Sequence, residues 1–327
     1  MSGAPQATAA AAGRPRSALL VAGVIFAVLA LVPFIAEVAG GAYLTSLAVR
    51  AMILAIVAIS LDLLMGHGGL VSFGHSAFVA IGAYCAGIML TEGIYEIAVI
   101  LPVAIGAAAL FALASGAVCL RTSGVSFIMI TLAFGQMVYF ALGSLAQYGA
   151  DDGLTLWSAP DALGTKWLAS KTGVYVTVLI ALIGAWALVH RITGSRFGRV
   201  LRAARQNPAR VASMGYSVFR YRLTAYAIAA MIAAVAGVLW AVHASFVSPS
   251  LGSWQRSGDL IVMVVLGGMA TRNGALIGAL FFIVIEEVLS SITHDWRLIF
   301  GPLLILIALY ARGGLVGLLD RIQGDRT

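Results

Sequence analysis

Charge is what this 327-residue chain has least of: Asp, Glu, Lys and Arg make up 10% of it, against about 25% in soluble domains. Lysine occurs only at Lys166 and Lys171, cysteine only at Cys85 and Cys119, and no acidic residue falls between Asp161 and Asp259. These shortages exclude whole classes. With 61% of its residues hydrophobic, a water-soluble enzyme or a disordered chain would have nowhere to put its apolar surface. A P-loop needs a lysine after a Gly-rich turn; neither lysine has that context, so the chain is not expected to hydrolyse ATP. H-E-x-x-H does not occur and Asp151–Asp152 is a lone acidic pair, which leaves metal and prenyl-diphosphate chemistry without ligands. Both cysteines sit in apolar runs and read as inert packing. What remains is an all-α polytopic membrane protein with no cofactor and no enzymatic site.

Apolar runs supply the spans. A crossing takes roughly 20 apolar residues, and runs of that kind predict about ten helices, near 17–39, 43–65, 70–91, 97–120, 124–146, 173–190, 223–246, 257–271, 274–293 and 297–312. The transmembrane domain is thus 17–312. Residues 1–16 are expected to be a disordered cytoplasmic segment and 313–327 a cytoplasmic tail. The run from Ser17 to Ala36 is longer than a signal-peptide core and reads as an uncleaved first span. Of the 20 basic residues, 18 are Arg, and eight of these lie between Arg191 and Arg222. Nucleic acid is a poor partner for a basic block flanked by apolar spans; the positive-inside rule accounts for it directly. Both termini and the 190–222 loop are then cytoplasmic, and 147–172, with Asp151, Asp152 and Asp161, lies outside. Trp157, Trp167, Trp254 and Trp296 fall at or near the outer interface, where indoles are favoured.

The basic loop has internal structure. Phe197, Val200, Leu201 and Ala204 recur at helical spacing, with Arg196, Arg199, Arg202 and Arg205 around them, as in a helix lying in the interface. Asn207 suits a helix cap, Pro208 a first helical position and Gly215 a left-handed terminus. A second, very short helix over 208–214 is therefore predicted, carrying Arg210 and Met214. Two turns are not stable alone in water. Spacing leaves two roles open, an anchor on anionic headgroups or a docking element for a cytoplasmic partner.

Polar residues inside the spans are few. Asp62, His67, Ser72, His75 and Ser76 cluster after the second run; Thr131, Gln136 and Tyr139 lie in the fifth; His243, Asp259, Glu286 and Glu287 follow. Such groups are costly in lipid and usually face the bundle interior. Ser72, His75, Ser76, Thr131 and Gln136 are the candidates for lining a path, although a lone His more commonly serves structure. Glu286 and Glu287 point about 100° apart on a helix and form no dyad; Glu286 is expected to meet a neighbour or water. Glycines at 66, 68, 69 and 74 and at 267, 268, 274 and 278 suit close helix packing. They are also the pattern of broken helices around a path, the less common case.

Five stretches carry a likeness to a known family. They are Leu61–Tyr84 (LDLLMGHGGLVSFGHSAFVAIGAY), Arg121–Phe134 (RTSGVSFIMITLAF), Ser195–Gly237, Phe246–Gly278 and the turn Gly149–Leu154. In them the chain resembles the permeases of branched-chain amino acid ABC importers of the LivM/LivH type. The resemblance implies an inner-membrane permease of a bacterium, paired with a second, related permease, two cytoplasmic ATP-binding subunits and a periplasmic substrate-binding protein. It implies docking as the role of the basic loop, with Arg202, Arg205, Asn207, Pro208, Arg210, Met214 and Gly215 facing the ATPase. Two residues depart from the pattern: Pro208 stands where many relatives have Glu, and Glu286 where relatives often have Pro. The alternative is an ion-coupled secondary transporter or channel, which requires a membrane-embedded ionisable pair and no ATPase.

Overall fold

The computed structural model describes residues 15–38, 41–162, 164–292, 298, 300–302 and 313–317. Apolar runs become helices because inside lipid a segment must satisfy its own backbone N–H and C=O groups. In chain order they are α1 (Pro15–Val38), α2 (Ala42–Asp62), α3 (His75–Thr91), α4 (Ile97–Cys119), α5 (Val125–Gly143) and α6 (Lys171–Gly194). Then come α7 (Arg196–Gln206), α8 (Pro208–Ser213), α9 (Val218–Ala244), α10 (Trp254–Gly267) and α11 (Gly274–Ile292). A π-helical turn, Leu63–His67, continues α2. Among the described residues, seven helices are long and apolar enough to cross a membrane: α1, α2 with its π turn, α4, α5, α6, α9 and α11. The protein is an all-α polytopic membrane protein; its short strands β1 (Leu154–Thr155) and β2 (Phe246–Val247) pair antiparallel, Leu154 opposite Val247.

Nine expected helices correspond to α1–α6 and α9–α11. Pro15 and Arg16 are already helical, so the expected disordered segment gives up its last two residues, and its first fourteen lie outside the described residues. Most of the tenth helix, 297–312, most of the tail 313–327, and Trp296 also lie outside them. Two boundaries are corrected. The third helix begins at His75 instead of residue 70, and the eighth spans Trp254–Gly267 instead of 257–271. The third helix is held off until His75 by Gly74 against the Thr131 carbonyl and the Phe73 N–H on Thr131 Oγ1. The eighth ends at Gly267 because Gly268 and Ala270 take positive φ (109° and 60°), a region that α-helices of L-residues do not use.

Packing has a clear centre. In α2 and in α9, 78% of the apolar stretch is buried, against 17% in α1. Lipid tails are as apolar as leucine, so helices associate here through close backbone approach. Gly82 of α3 lies against the backbone of Ala234, and Gly237 of α9 against the Val79 carbonyl. Phe78 sits in this contact with its ring edge-on to Tyr226 (5.5 Å), His75 (5.7 Å) and Phe111 (6.0 Å), geometry worth about 0.5–1.5 kcal/mol per pair.

The two ends of the bundle differ in charge. At one, Arg205 meets Gly66, Asp62 meets Ala270, and Arg222 donates to the Ala204 carbonyl at 3.2 Å. At the other, Tyr148 donates to Glu92 at 2.9 Å, Ile97 N–H bonds the Asp161 carbonyl, and β1 meets β2. The Glu92 carboxylate raises the pKa of the Tyr148 phenol that donates to it. The basic loop and the acidic segment 147–172 thus stand at opposite ends.

Candidate functional site

Besides α7 and α8, two helices are too short to span. α3 has 17 residues and α10 has 14, lengths of about 25 and 21 Å against a hydrocarbon core of about 30 Å. Irregular chain completes each, over 68–74 and 245–253. The starts of α3 and α10 are bonded to each other: Ser76 N–H donates to Ser257 Oγ (3.1 Å), Ser76 Oγ donates to the Ser253 carbonyl (2.9 Å), and the Ser76 and Ser257 hydroxyls lie 2.7 Å apart. The glycines at 68, 69 and 74 therefore mark a broken helix as well as close packing; Gly74 lies against the Thr131 carbonyl and Gly69 against the stem of Arg205. Two helix N-termini brought together concentrate positive potential inside the bundle.

Beside this seam is a cavity of about 430 Å³, within the usual range for small-ligand sites. Ser76 and Ser253 line it, with Val57, Leu260, Met263 and Phe282 as apolar wall. Its charged members are Arg50, Glu286, Arg256 and Asp259. Arg50 Nη2 donates to both Glu286 oxygens, at 2.8 and 2.9 Å, with the two side chains 31% and 20% exposed. The Arg256 guanidinium stands 5.9 Å from the Trp240 ring centre. Above the pair, on the same face of α2, Ser46 contacts His243 at 3.3 Å and Tyr43 bonds Glu287. The spacing i, i+3, i+7 puts Tyr43, Ser46 and Arg50 in one row, which leads about 10 Å down from the start of α2.

The end of the bundle near Gly66 is tied to the basic loop. Asp62, 4% exposed, accepts the Ala270 N–H at 2.9 Å and so holds that residue in its left-handed conformation. Arg205 of α7 donates to the Gly66 carbonyl of the π turn. Asn207 Oδ1 accepts the Arg210 N–H at 2.9 Å, Pro208 is the first residue of α8, and Gly215 follows at φ 85°. The short helix expected over 208–214 stands at 208–213, with its Val211 buried. Leu201 and Ala204 of α7 are buried against the bundle, while Arg202, Arg210 and Met214 are exposed. Replacing Asp62 with alanine leaves the Ala270 N–H without its acceptor. A loss of about 1–3 kcal/mol is expected, read as a lower thermal midpoint of the purified protein, with Asp62→Asn losing less. An unchanged midpoint would show that the Ala270 turn holds without the carboxylate.

Of the residues expected to line a path, Ser76 borders the cavity. His75 is fully buried, its Nε2 2.8 Å from Ser60 Oγ. Since Ser60 donates to the Val57 carbonyl, the ring Nε2–H is the donor in that pair. Thr131 accepts the Phe73 N–H at 3.2 Å and so braces the broken segment. Ser72 is buried and Gln136 half-buried on α5; neither borders the cavity. Arg50 and Glu286, conspicuous one by one as charges in apolar runs, were not paired by sequence reasoning. The signal for finding them was the cost of a charge in lipid, but a separation of 236 residues hides the partnership.

A bundle with broken helices meeting beside a cavity has the layout of a membrane transport path. The comparisons place it. The chain belongs to the family described as branched-chain amino acid transport system / permease component, whose model matches residues 43–309. It is similar to the high-affinity branched-chain amino acid transport system permease protein LivM of Salmonella typhimurium, 28% identical, covering 83% of this chain and 69% of that protein. The autoinducer 2 import system permease protein LsrC of an Enterobacter species is 32% identical over 75% of this chain and 71% of its own. The branched-chain amino acid permease BraD of Pseudomonas aeruginosa is 25% identical over 80% and 91%. No solved structure matches significantly. The chain is a transport subunit and not an enzyme.

Proposed function

We propose that this chain is the membrane-spanning subunit of an ATP-driven importer for leucine, isoleucine and valine in a bacterial inner membrane. Its partners are two cytoplasmic ATP-binding subunits, a second related permease and a periplasmic substrate-binding protein. Both termini and α7–α8 are cytoplasmic. The observation that carries the reading is the family match over 43–309, which takes in every residue lining a cavity with charged groups and apolar walls.

Mechanically, closure of the ATPases on ATP pushes α7 and α8 as one unit. Arg205 passes the displacement to the π turn, 68–74 carries it to the serine seam, and the cavity opens first to one side and then to the other. Binding there must be weak enough to release, since the binding protein supplies affinity. The test is uptake of labelled leucine into vesicles. Accumulation is expected only when the partner ATPases and binding protein are present. Uptake by vesicles from cells lacking every partner ATPase would instead establish the ion-coupled transporter or channel.

A further inference from the structure

A bonded pair of opposite charges lines the cavity, and its place in the wall is the clue. Arg50 and Glu286 come from α2 and α11, meet through a single guanidinium nitrogen, and both line the cavity while staying partly exposed. A guanidinium offers five donors, so most of that fork is not engaged with Glu286. A pair whose only purpose was to join two helices would be expected to use the two-nitrogen geometry that fixes both groups. The same cavity is also lined by branched aliphatic and thioether side chains and an aromatic ring, so charged and apolar surface are offered to one solute together.

Resting on the importer reading, we infer that Arg50 and Glu286 form a clamp for the zwitterionic end of an α-amino acid. Arg50 takes the α-carboxylate and Glu286 the α-ammonium, while Val57, Leu260 and Met263 receive the aliphatic side chain. The exchange conserves charge. In the empty cavity each group neutralises the other; in the occupied one the substrate inserts as cation and anion between them, and no unpaired charge is left in a low-dielectric site. An amine without the carboxylate, or an acid without the ammonium, leaves one of the two unpaired and is rejected on that ground. The same exchange accounts for easy release, because the protein regains its own pair as the substrate leaves.

The experiment uses the complete importer in proteoliposomes, with labelled leucine as probe. The neutral double variant Arg50→Gln/Glu286→Gln removes the clamp without stranding a charge, and the exchange Arg50→Glu/Glu286→Arg keeps a pair but reverses it. Each complex is first checked for assembly by size exclusion. Uptake per ATP hydrolysed is expected to fall at least tenfold in the neutral variant and to stay low in the reversed one. A neutral variant that transports like wild type overturns the clamp, and so does restored uptake in the reversed variant, which would make the pair a brace between helices. Should the double variants fail to assemble, Glu286→Asp carries the test: the clamp requires a several-fold higher KM for leucine, and an unchanged KM overturns it. A wild-type complex that hydrolyses ATP but accumulates no leucine overturns the importer reading itself, and the clamp with it.

Discussion

Replacing Arg205 with alanine is expected to cut ATP-driven uptake by about 10- to 100-fold while the assembled complex still hydrolyses ATP. The range follows from one bond. Arg205 leaves α7, lays its stem on Gly69 and donates to the Gly66 carbonyl. A hydrogen bond from a charged donor contributes about 1.5–3 kcal/mol, which is the free energy by which movement of α7 is tied to movement of the π turn. Without it α7 and α8 still rest on the bundle through Leu201, Ala204, Val211, the Phe197–Tyr221 stack and the Arg222 bond to the Ala204 carbonyl, but lose their tie to the π turn. Arg205→Lys keeps a donor but loses the planar fork, so intermediate coupling is expected. The readout is the ratio of leucine accumulated to phosphate released in reconstituted complexes. A wild-type ratio in the alanine variant would place the coupling elsewhere, and the exposed α8 face would be the next to examine.

Gly237→Leu is expected to prevent the bundle from assembling, with yield after detergent extraction falling at least tenfold. The difficulty is backbone against backbone. A Cβ at this position runs into the Val79 carbonyl oxygen and the Ala83 N–H of α3, and neither can turn aside as a side chain would. Overpacking a core costs about 1–3 kcal/mol even where neighbours are able to give; here α3 must move away from α9 along its length, and the ring cluster of Phe78, Tyr226 and Phe111 comes apart with it. Gly184→Leu on α6 is the matched control, since nothing lies within 4 Å of a Cβ there, and its yield should stay near wild type. Equal yields of the two variants would mean that the α3–α9 contact is not what holds the centre.

What was legible in the chain beforehand follows a physical division. Helix caps and punctuation act over three or four residues, so Asn207, Pro208 and Gly215 declared a short helix that stands at 208–213. Long apolar runs declared the spans for the same reason. The start of α3 was misplaced because residues 70–74 are apolar enough to pass for helix, while the factors that break it there are nonlocal: Gly74 must lie on the Thr131 carbonyl and Phe73 must find Thr131 Oγ1. The cavity was illegible for a related reason. Arg50, Ser76, Trp240, Asp259 and Glu286 come from five helices, and no local pattern announces a meeting of that kind. Ser76 was singled out on polarity alone. Arg50 lies within the second apolar run, and nothing local to that run points to Glu286.

The seam between the two broken helices has a mechanical consequence. Ser76, Ser253 and Ser257 join α3 to α10 through two hydroxyls, the Ser76 N–H and the Ser253 carbonyl. Hydroxyls turn freely about the bond that carries them and serve equally as donor or acceptor. Interlocked branched side chains would have to unpack before one helix turned on the other. Two of the four groups in this joint are hydroxyls that can turn to a new partner as the helices shift, so it resists rotation less than the backbone-on-backbone contacts at Gly82 and Gly237. A transporter needs a pivot of that kind beside its cargo.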